Sequence, residues 1–341
     1  MTQRASIIMP AYGGGPAFAR ALAAIAPAID SGHEIIIVDD ATPGGLRNAL
    51  PPGARLIVRE RNGGPGAARN DGVAAATHPT VIFIDADVEV RPDTIERIAE
   101  KMAGPSAPAA LFGSYDDDPS ERTLVSRFRN LLHHWVHQHG NHEASTFWAG
   151  CGAIKTDVFR QVNGFDIETF KQPSVEDIDL GYRLRELGLR IELDPTILVK
   201  HLKKWTLIET IRVDVFRRAI PWTRLMAAQP AMTSDLNVRG SQRISGGLAS
   251  LALAFALALP WSIALGVSYS VVAIAAGLAL VGVALCNLGF LGFLASRGGA
   301  PLLTVGFLLY VLYFVYSTIA FVVAKIGLAT GVLSPIGSTR T

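Results

Sequence analysis

The stretch "TVIFIDADVEV", residues 80–90, decides how the first two hundred residues are read. Val81 to Ile84 form an unbroken β-branched and aromatic run, the pattern of a strand buried on both faces. Asp85 and Asp87 then stand one residue apart at its end. Carboxylates so close repel each other and lose hydration at a strand terminus, so a positive partner is expected beside them.

Strand and helix signals alternate outward from this point. "SIIMP" (6–10), "EIIIVDD" (34–40) and "ARLIVRE" (54–60) read as further strands. Helical stretches are expected from Pro16 to Ile29, from near Pro65 through "GAARNDGVAAAT", and from Pro92 to Met102. Such alternation implies a mainly parallel, Rossmann-like α/β sheet with helices on both faces. Ligands of such sheets bind at the carboxyl ends of the strands, near a topological switch. Pro10, Asp39, Asp40, Asp85 and Asp87 all fall at that edge. Residues 106–145 are less regular, and 146–200 form a second mixed region with "FWAGCGAIKTDVF" and "SVEDIDLGYRLRELG".

The 341 residues allow about two domains. Charge is unevenly distributed: no Asp, Glu, Lys, Arg or His occurs between Arg243 and Arg297, or between Arg297 and Lys325. A hydrocarbon core needs roughly 20 apolar helical residues to cross it. Three spans are therefore expected, at about 245–267, 270–294 and 302–324, forming an all-α membrane domain over 244–329 with a polar tail at 330–341. Lys203, Lys204, Arg212, Arg217, Arg218, Arg224, Arg239 and Arg243 crowd before the first span. By the positive-inside rule the N-terminal part lies in the cytoplasm, and a multi-pass protein of the cell inner membrane is expected. Arg297, in the link "SRGGAP", agrees, and the uncharged link "SYS" at 268–270 suits the far side. Residues 204–243 read as amphipathic juxtamembrane helices. Trp205, Ile208, Ile211, Val215 and Ala219 recur as an apolar face, suited to the headgroup layer or to packing on the N-terminal domain.

Residues 5–12, "ASIIMPAY", lack the length and cleavage pattern of a signal peptide. Cys151 and Cys286 lie far apart and suggest a reduced compartment without a disulfide framework. The net charge of +2 gives no footprint for a nucleic-acid partner. "NGGPGA" is an incomplete dinucleotide fingerprint, because Arg69 occupies the last glycine position and the segment follows the third strand. His133, His134, His137, His139 and His142 contain an i,i+4 pair but no companion Glu or Cys at zinc-motif spacing, so a loop facing acceptor or headgroups is the expectation. The D-x-D pair at a strand end suits Mg2+ or Mn2+, which bind through one or two carboxylates plus substrate phosphates.

"IIMPAY", "IIIVDDAT", "RNGGPGAARNDG", "FIDADVEV", "GFDIETF" and "VEDIDLGYRLRELG" occur in this order. Together they resemble the family 2 glycosyltransferases, inverting enzymes of the GT-A fold, over about residues 5–200, so a GT-A domain is expected over 1–203. The resemblance implies a nucleotide-diphosphate sugar donor and a divalent metal. It implies that Pro10, Ala11 and Tyr12 line the nucleoside pocket, that Asp40 contacts the base, and that Asp39 supports it. It puts Arg69 near the nucleotide and pyrophosphate, Asp85 at the ribose or metal, and Asp87 on the metal, with His201 completing the metal shell in several such enzymes. Asp177, the second carboxylate of "VEDID", matches the catalytic base, and Glu176, Trp148 and Gly150 fall on the acceptor side.

The Q-x-x-R-W signature of processive polysaccharide synthases is not matched by "QRIS" at 242–245. The expectation is thus transfer of one sugar to a hydroxyl of a lipid or lipid-linked acceptor, in envelope glycan or glycolipid synthesis. Two alternatives stand: a polyprenyl-phosphate glycosyltransferase making a sugar phosphodiester, and a non-catalytic scaffold or transport partner with a degenerate transferase domain. Sugar, acceptor and oligomeric state are not written in the chain.

Overall fold

The apolar strands alternate their side chains between two cores. Ile7, Met9, Ile35, Ile37, Ile82 and Ile84 enter one, and Ile8, Ile36, Val38, Val81 and Phe83 the other. The period of two in an unbroken apolar run makes a sheet covered on both faces. The computed structural model describes residues 3–228, 240–262, 264 and 266–337. The chain divides into two compact units, one of 1–121 and 136–204, the other of 122–135 and 205–341.

In chain order the first unit contains β1 (Ser6–Ala11), α1 (Pro16–Ile25), β2 (Glu34–Asp39), β3 (Arg55–Val58), α2 (Gly64–Ala75), β4 (Thr80–Ile84), β5 (Val88–Val90), α3 (Thr94–Lys101) and β6 (Ala110–Tyr115). Helix α4 (Leu124–Gln138) begins in the second unit and ends in the first. Then come β7 (Glu143–Ala144), β8 (Cys151–Lys155), α5 (Thr156–Gln161), α6 (Glu176–Glu186) and β9 (Ile191–His201). Among the described residues the sheet has nine strands, ordered β3-β2-β1-β4-β8-β6-β9-β5, with β7 on β9. Strands β3, β2, β1 and β4 are parallel, as is the β6–β9 pair, while β8 runs antiparallel to β4 and β6. The carboxyl ends of β1, β2, β4, β6 and β9 therefore share one edge.

The second unit holds α7 (Leu207–Arg212), a π-helical turn at Val213–Ala219, α8 (Ile220–Ala228), α9 (Gly240–Ala258), α10 (Tyr269–Cys286) and α11 (Leu288–Ala329). Thr206 caps α7 by accepting from the amide of Glu209 at 3.2 Å. Three segments, Gly240–Trp261, Tyr269–Cys286 and Leu288–Ala329, are long and apolar enough to cross a membrane. Their bounds differ from the sequence expectation. The helix expected over 270–294 stops at Cys286, because Asn287 leaves helical geometry and its side chain donates to Ser245 Oγ at 2.8 Å and to the Val283 carbonyl at 2.7 Å. Gly298 and Gly299 then break α11, Gly299 at φ 61°. Residues 122–135 join this unit because Phe128 packs on Phe290 and Tyr310, and Trp135 on Phe290 and Phe293.

The apolar face expected along 205–219 is not the face that packs. Trp205 is buried, but Ile208 is 80% exposed, while Thr210 and Asp214 are buried. The π turn starts only at Val213, so it shifts the phase of the side chains that follow it and not of Ile208 or Thr210. The histidines expected in a loop begin on α4: His137 Nδ1 donates to the Gly113 carbonyl (3.1 Å), and His134 stacks on Phe293. Arg239 and residues 338–341 lie outside the described residues.

Candidate active site

At the end of β1, Pro10 and Ala11 are buried and Tyr12 is 62% exposed. The Gly13 amide donates to Thr42 Oγ1 at 2.9 Å, which ties the β1 turn to the β2 turn. Asp39 accepts from the Thr42 amide at 2.8 Å through Oδ1, and its buried Oδ2 has no hydrogen-bond partner among the described residues. Asp40 is fully used: Oδ1 accepts from Arg59 at 2.5 Å and the Gly63 amide at 3.0 Å, and Oδ2 from the Gly64 amide at 2.8 Å. The two neighbours thus differ in what they bond. Asp40 holds the β3–α2 turn, and Asp39 presents an unspent acceptor. A buried acceptor without a donor is costly and calls for a ligand donor.

The positive partner of Asp85 is Arg69. Its guanidinium lies 2.5 Å from Asp85 Oδ1, 3.7 Å from Glu176 Oε1 and 5.5 Å from the centre of the Phe165 ring. Burial works against the cation, but Asp85 and Glu176, with Asp177 beyond, outweigh it and keep Arg69 charged. Asn70, the next residue, exchanges hydrogen bonds with both backbone groups of Phe165 at 2.9 Å. The "RN" pair therefore carries both the site's cation and the support for its aromatic floor.

Asp85 and Asp87 part in behaviour. Burial raises the Asp85 carboxyl, against the pull of Arg69 and with the added repulsion of Asp87. At Asp87 burial is overcome by His201, whose Nε2 lies 3.7 Å away, and by Lys203, so its carboxyl sits below the usual range. Among the described residues no group of three or more His, Cys, Asp or Glu side chains is arranged to hold a metal. Mg2+ and Mn2+ need less than such a cage, taking one or two carboxylates, water and substrate phosphates. The Asp85 and Asp87 side chains, 31% and 35% exposed at this edge, fit an ion that arrives with a diphosphate.

On the other side of Arg69, Asp177 lies in the first turn of α6, half-buried, with Oδ1 accepting from the Ile178 amide at 2.8 Å. Glu176 is buried and accepts from the Ser174 amide at 2.7 Å. Two glycines permit this approach. A Cβ on Gly181 would lie 2.5 Å from the Phe147 nitrogen, so α6 meets the 146–150 segment backbone to backbone. A Cβ on Gly150 would enter the Trp148 ring at 2.6 Å.

Tyr115 was not singled out by the sequence. It stacks on His201 at 4.3 Å between ring centres and meets Trp148 edge-on at 4.8 Å, forming an aromatic wall beside Asp87. The signal was available: Tyr115 ends β6, whose carboxyl end lies on the same edge as those of β1, β2 and β4.

Cys151, at the start of β8, is part of the core. Burial first, and then the charge of Asp85, push its thiol up to about 12. At a pH of about 8.5, where an ordinary thiol is half ionised, Cys151 is expected to resist iodoacetamide in the folded chain and to react after denaturation. Mass spectrometry of the peptide containing it checks this, and rapid native alkylation would contradict the buried position.

This sheet order, with its carboxylate-lined edge, defines a GT-A domain. A mannosyltransferase, PcManGT from Pyrobaculum calidifontis, solved in complex with GDP-Man and Mn2+, shares the fold at TM-score 0.53 and 19% identity, over 96% of this chain and 88% of that one. Residues 6–162 match the model of glycosyl transferase family 2, and 129–204 match that described as the N-terminal domain of galactosyltransferase. The N-terminal part of the chain, residues 6–162, belongs to glycosyl transferase family 2. Among curated relatives it is 29% identical over 238 residues to the pre-mycofactocin glycosyltransferase of Mycobacterium tuberculosis (strain ATCC 25618 / H37Rv), covering 64% of this chain. It is 35% identical over 111 residues to the succinoglycan biosynthesis protein ExoO of Rhizobium meliloti (strain 1021), covering 31% of this chain and 32% of that one. The chain spans about half (48%) of the length of the first of these.

Proposed function

We propose that the chain is a membrane-bound inverting glycosyltransferase that moves one sugar from a nucleotide-diphosphate donor to a hydroxyl of a lipid or lipid-linked acceptor at the cytoplasmic face of the inner membrane. The observation that carries this is the Arg69 bridge. One guanidinium touches Asp85 on the donor side and Glu176 on the other, which brings the α6 carboxylates within one side chain of the D-x-D edge.

Asp177 takes the proton of the acceptor hydroxyl as its oxygen attacks the anomeric carbon. The bond from that carbon to the phosphate oxygen breaks on the opposite face, which inverts the configuration. Trp148 and Gly150 bound the acceptor, and Tyr115 supports Trp148. Asp87 and Asp85, with His201, would hold a Mg2+ or Mn2+ ion, which when bound supplies Lewis acidity for the leaving diphosphate. Pro10, Ala11 and Tyr12 flank the nucleoside, and Asp39 offers its free oxygen to a base N–H. Asp39→Asn is expected to weaken nucleoside-diphosphate binding by about tenfold, the order of a hydrogen bond to a charged group. Asp40→Asn acts instead on stability and lowers the melting temperature. Calorimetric titration and thermal unfolding of both variants check this division of roles, and an Asp40 variant that unfolds normally but binds poorly would reverse it.

Supporting the membrane acceptor are the three long apolar helices and the basic segment before them. The direct test incubates membranes containing the full chain with a panel of nucleotide sugars and follows lipid extracts by mass spectrometry. A lipid heavier by one sugar residue is expected. If no nucleotide sugar is consumed or transferred under any condition, the proposal is wrong.

A further inference from the structure

Arg224 precedes all three apolar segments in the chain, yet it bonds to the tail beyond the last of them. Its Nε donates to the Ser334 carbonyl at 2.8 Å, and the Ile336 amide donates back to the Arg224 carbonyl at 3.2 Å. The tail reaches this position by folding back after α11, with the Leu333 amide on the Gly327 carbonyl at 2.9 Å. Three crossings would leave Arg224 and Ser334 on opposite faces of a hydrocarbon layer ~30 Å thick. Hydrogen-bonded partners cannot be so divided. The number of crossings between them is even.

Helices α9 and α10 form the natural pair. Ser245 and Asn287 meet near the start of one and the end of the other, and Leu248 lies 3.0 Å from where a Cβ on Gly282 would stand. They run as an antiparallel hairpin whose far tip is the uncharged link before Tyr269. Helix α11 differs, because charged or strongly polar groups accompany it over much of its length. Arg127 donates to the Arg297 carbonyl at 2.5 Å, and Tyr310 to Gln242 at 3.2 Å. Tyr316 donates to Asp214 at 2.6 Å, and Asp214 is held by both terminal nitrogens of Arg129, at 2.7 and 2.5 Å. Arg129 lies on α4, which is too short to cross a bilayer and carries a second arginine, Arg127. Charges of this kind are costly in hydrocarbon. The rest of α11, from Ser317 to Ala329, is about 20 Å of helix at 1.5 Å per residue, too short to cross.

Residues 207–228 are built inside out. Thr210, Asp214 and Thr223 are buried, while Ile208 and Phe216 are 80% and 66% exposed, with Arg212 and Arg218 exposed beside them. In water a helix buries its apolar stripe; here Leu225 is buried, but Thr210, Asp214 and Thr223 are fastened inward with it while Ile208 and Phe216 face out. Leu308, Ile319 and Ile326 of α11 are exposed as well. Between Lys203 and Arg224 the sequence has six Lys or Arg against Glu209 and Asp214, a surplus matched to anionic headgroups.

We infer that only α9 and α10 cross the bilayer, and that α11 with residues 207–228 forms a platform sunk into the single leaflet on the side of the N-terminal unit. This stands on contacts within the second unit and holds whether or not the chain transfers sugar. The test uses the full chain with Cys286→Ala, in sealed vesicles of phosphatidylcholine and phosphatidylglycerol, and adds one cysteine at a time: Val58→Cys, Ser268→Cys or Val332→Cys. Val58 and Val332 are exposed, at 57% and 80%. A membrane-impermeant maleimide is expected to label positions 58 and 332 from one side and 268 from the other. Labelling of 332 together with 268, or of all three from one side, would overturn the inference. A bimane on Phe216→Cys should lose most of its emission to lipids brominated near the headgroup and little to aqueous iodide. The reverse would mean that this face meets water or a protein, and would remove the platform.

Discussion

Asp177→Asn is expected to lower turnover by roughly 10²–10⁴-fold, the usual contribution of a positioned base. The donor dissociation constant should stay within a few-fold of the parent. Both expectations derive from where the side chain lies. Asp177 is bonded to the Ile178 amide and separated from the D-x-D edge by Arg69 and Glu176. An asparagine keeps an oxygen for that amide, so the fold is retained while the proton acceptor is lost. Single-turnover transfer and donor binding, measured on one preparation, separate the two effects. A phosphate acceptor is already ionised and needs no base, so near-normal turnover in a folded Asp177→Asn chain would favour polyprenyl-phosphate transfer over transfer to a hydroxyl.

Asp87→Asn should depress both quantities. Loss of a group that organises charge against the leaving diphosphate costs at least about 10²–10³ in turnover, and the donor itself binds less tightly because its own charge goes uncompensated. His201 and Lys203, which hold Asp87 in its anionic form, would then face a neutral amide. Titration with the nucleotide sugar, with and without added Mn2+, reads the binding part directly. Parent activity that persists in excess EDTA would exclude the metal from the proposal, and an Asp87→Asn chain with parent-like donor affinity would exclude Asp87 as its holder.

The half of the sheet built from local signals was legible. Runs such as Ile35–Val38 and Val81–Ile84 admit only a buried strand, and the strand-end rule then collects Asp39, Asp40, Asp85 and Asp87 at one edge. Pairings between distant segments were hidden. Nothing local says that Tyr115 stacks on His201, since β6 and β9 become neighbours only through tertiary pairing. Nothing local distinguishes Asp39 from Asp40 either, because the difference lies in amides at Gly63 and Gly64 and in Arg59 beyond β3. Periodicity along 205–219 left two readings open, the headgroup layer or packing on the N-terminal domain, because it marks an apolar face without saying what covers it. Hydropathy and length mark α11 as a candidate span, but they weigh only residues on the helix itself, whereas the platform proposed above rests on the Arg127, Arg129 and Asp214 groups that neighbouring segments bring to it.

The packing of residues 122–135 limits how the chain can be cut for study. A soluble fragment ending near residue 204 would look complete by its family match, but it would keep residues 122–135 and discard everything they pack on. Phe128 and Trp135 would lose Phe290 and Tyr310, and Arg129 would be left without Asp214. The fragment would display a greasy helix with an orphaned cation at its centre and would need detergent or redesigned residues there to stay dispersed. Expression strategies that treat residues 1–204 as a detachable head therefore start from the wrong seam.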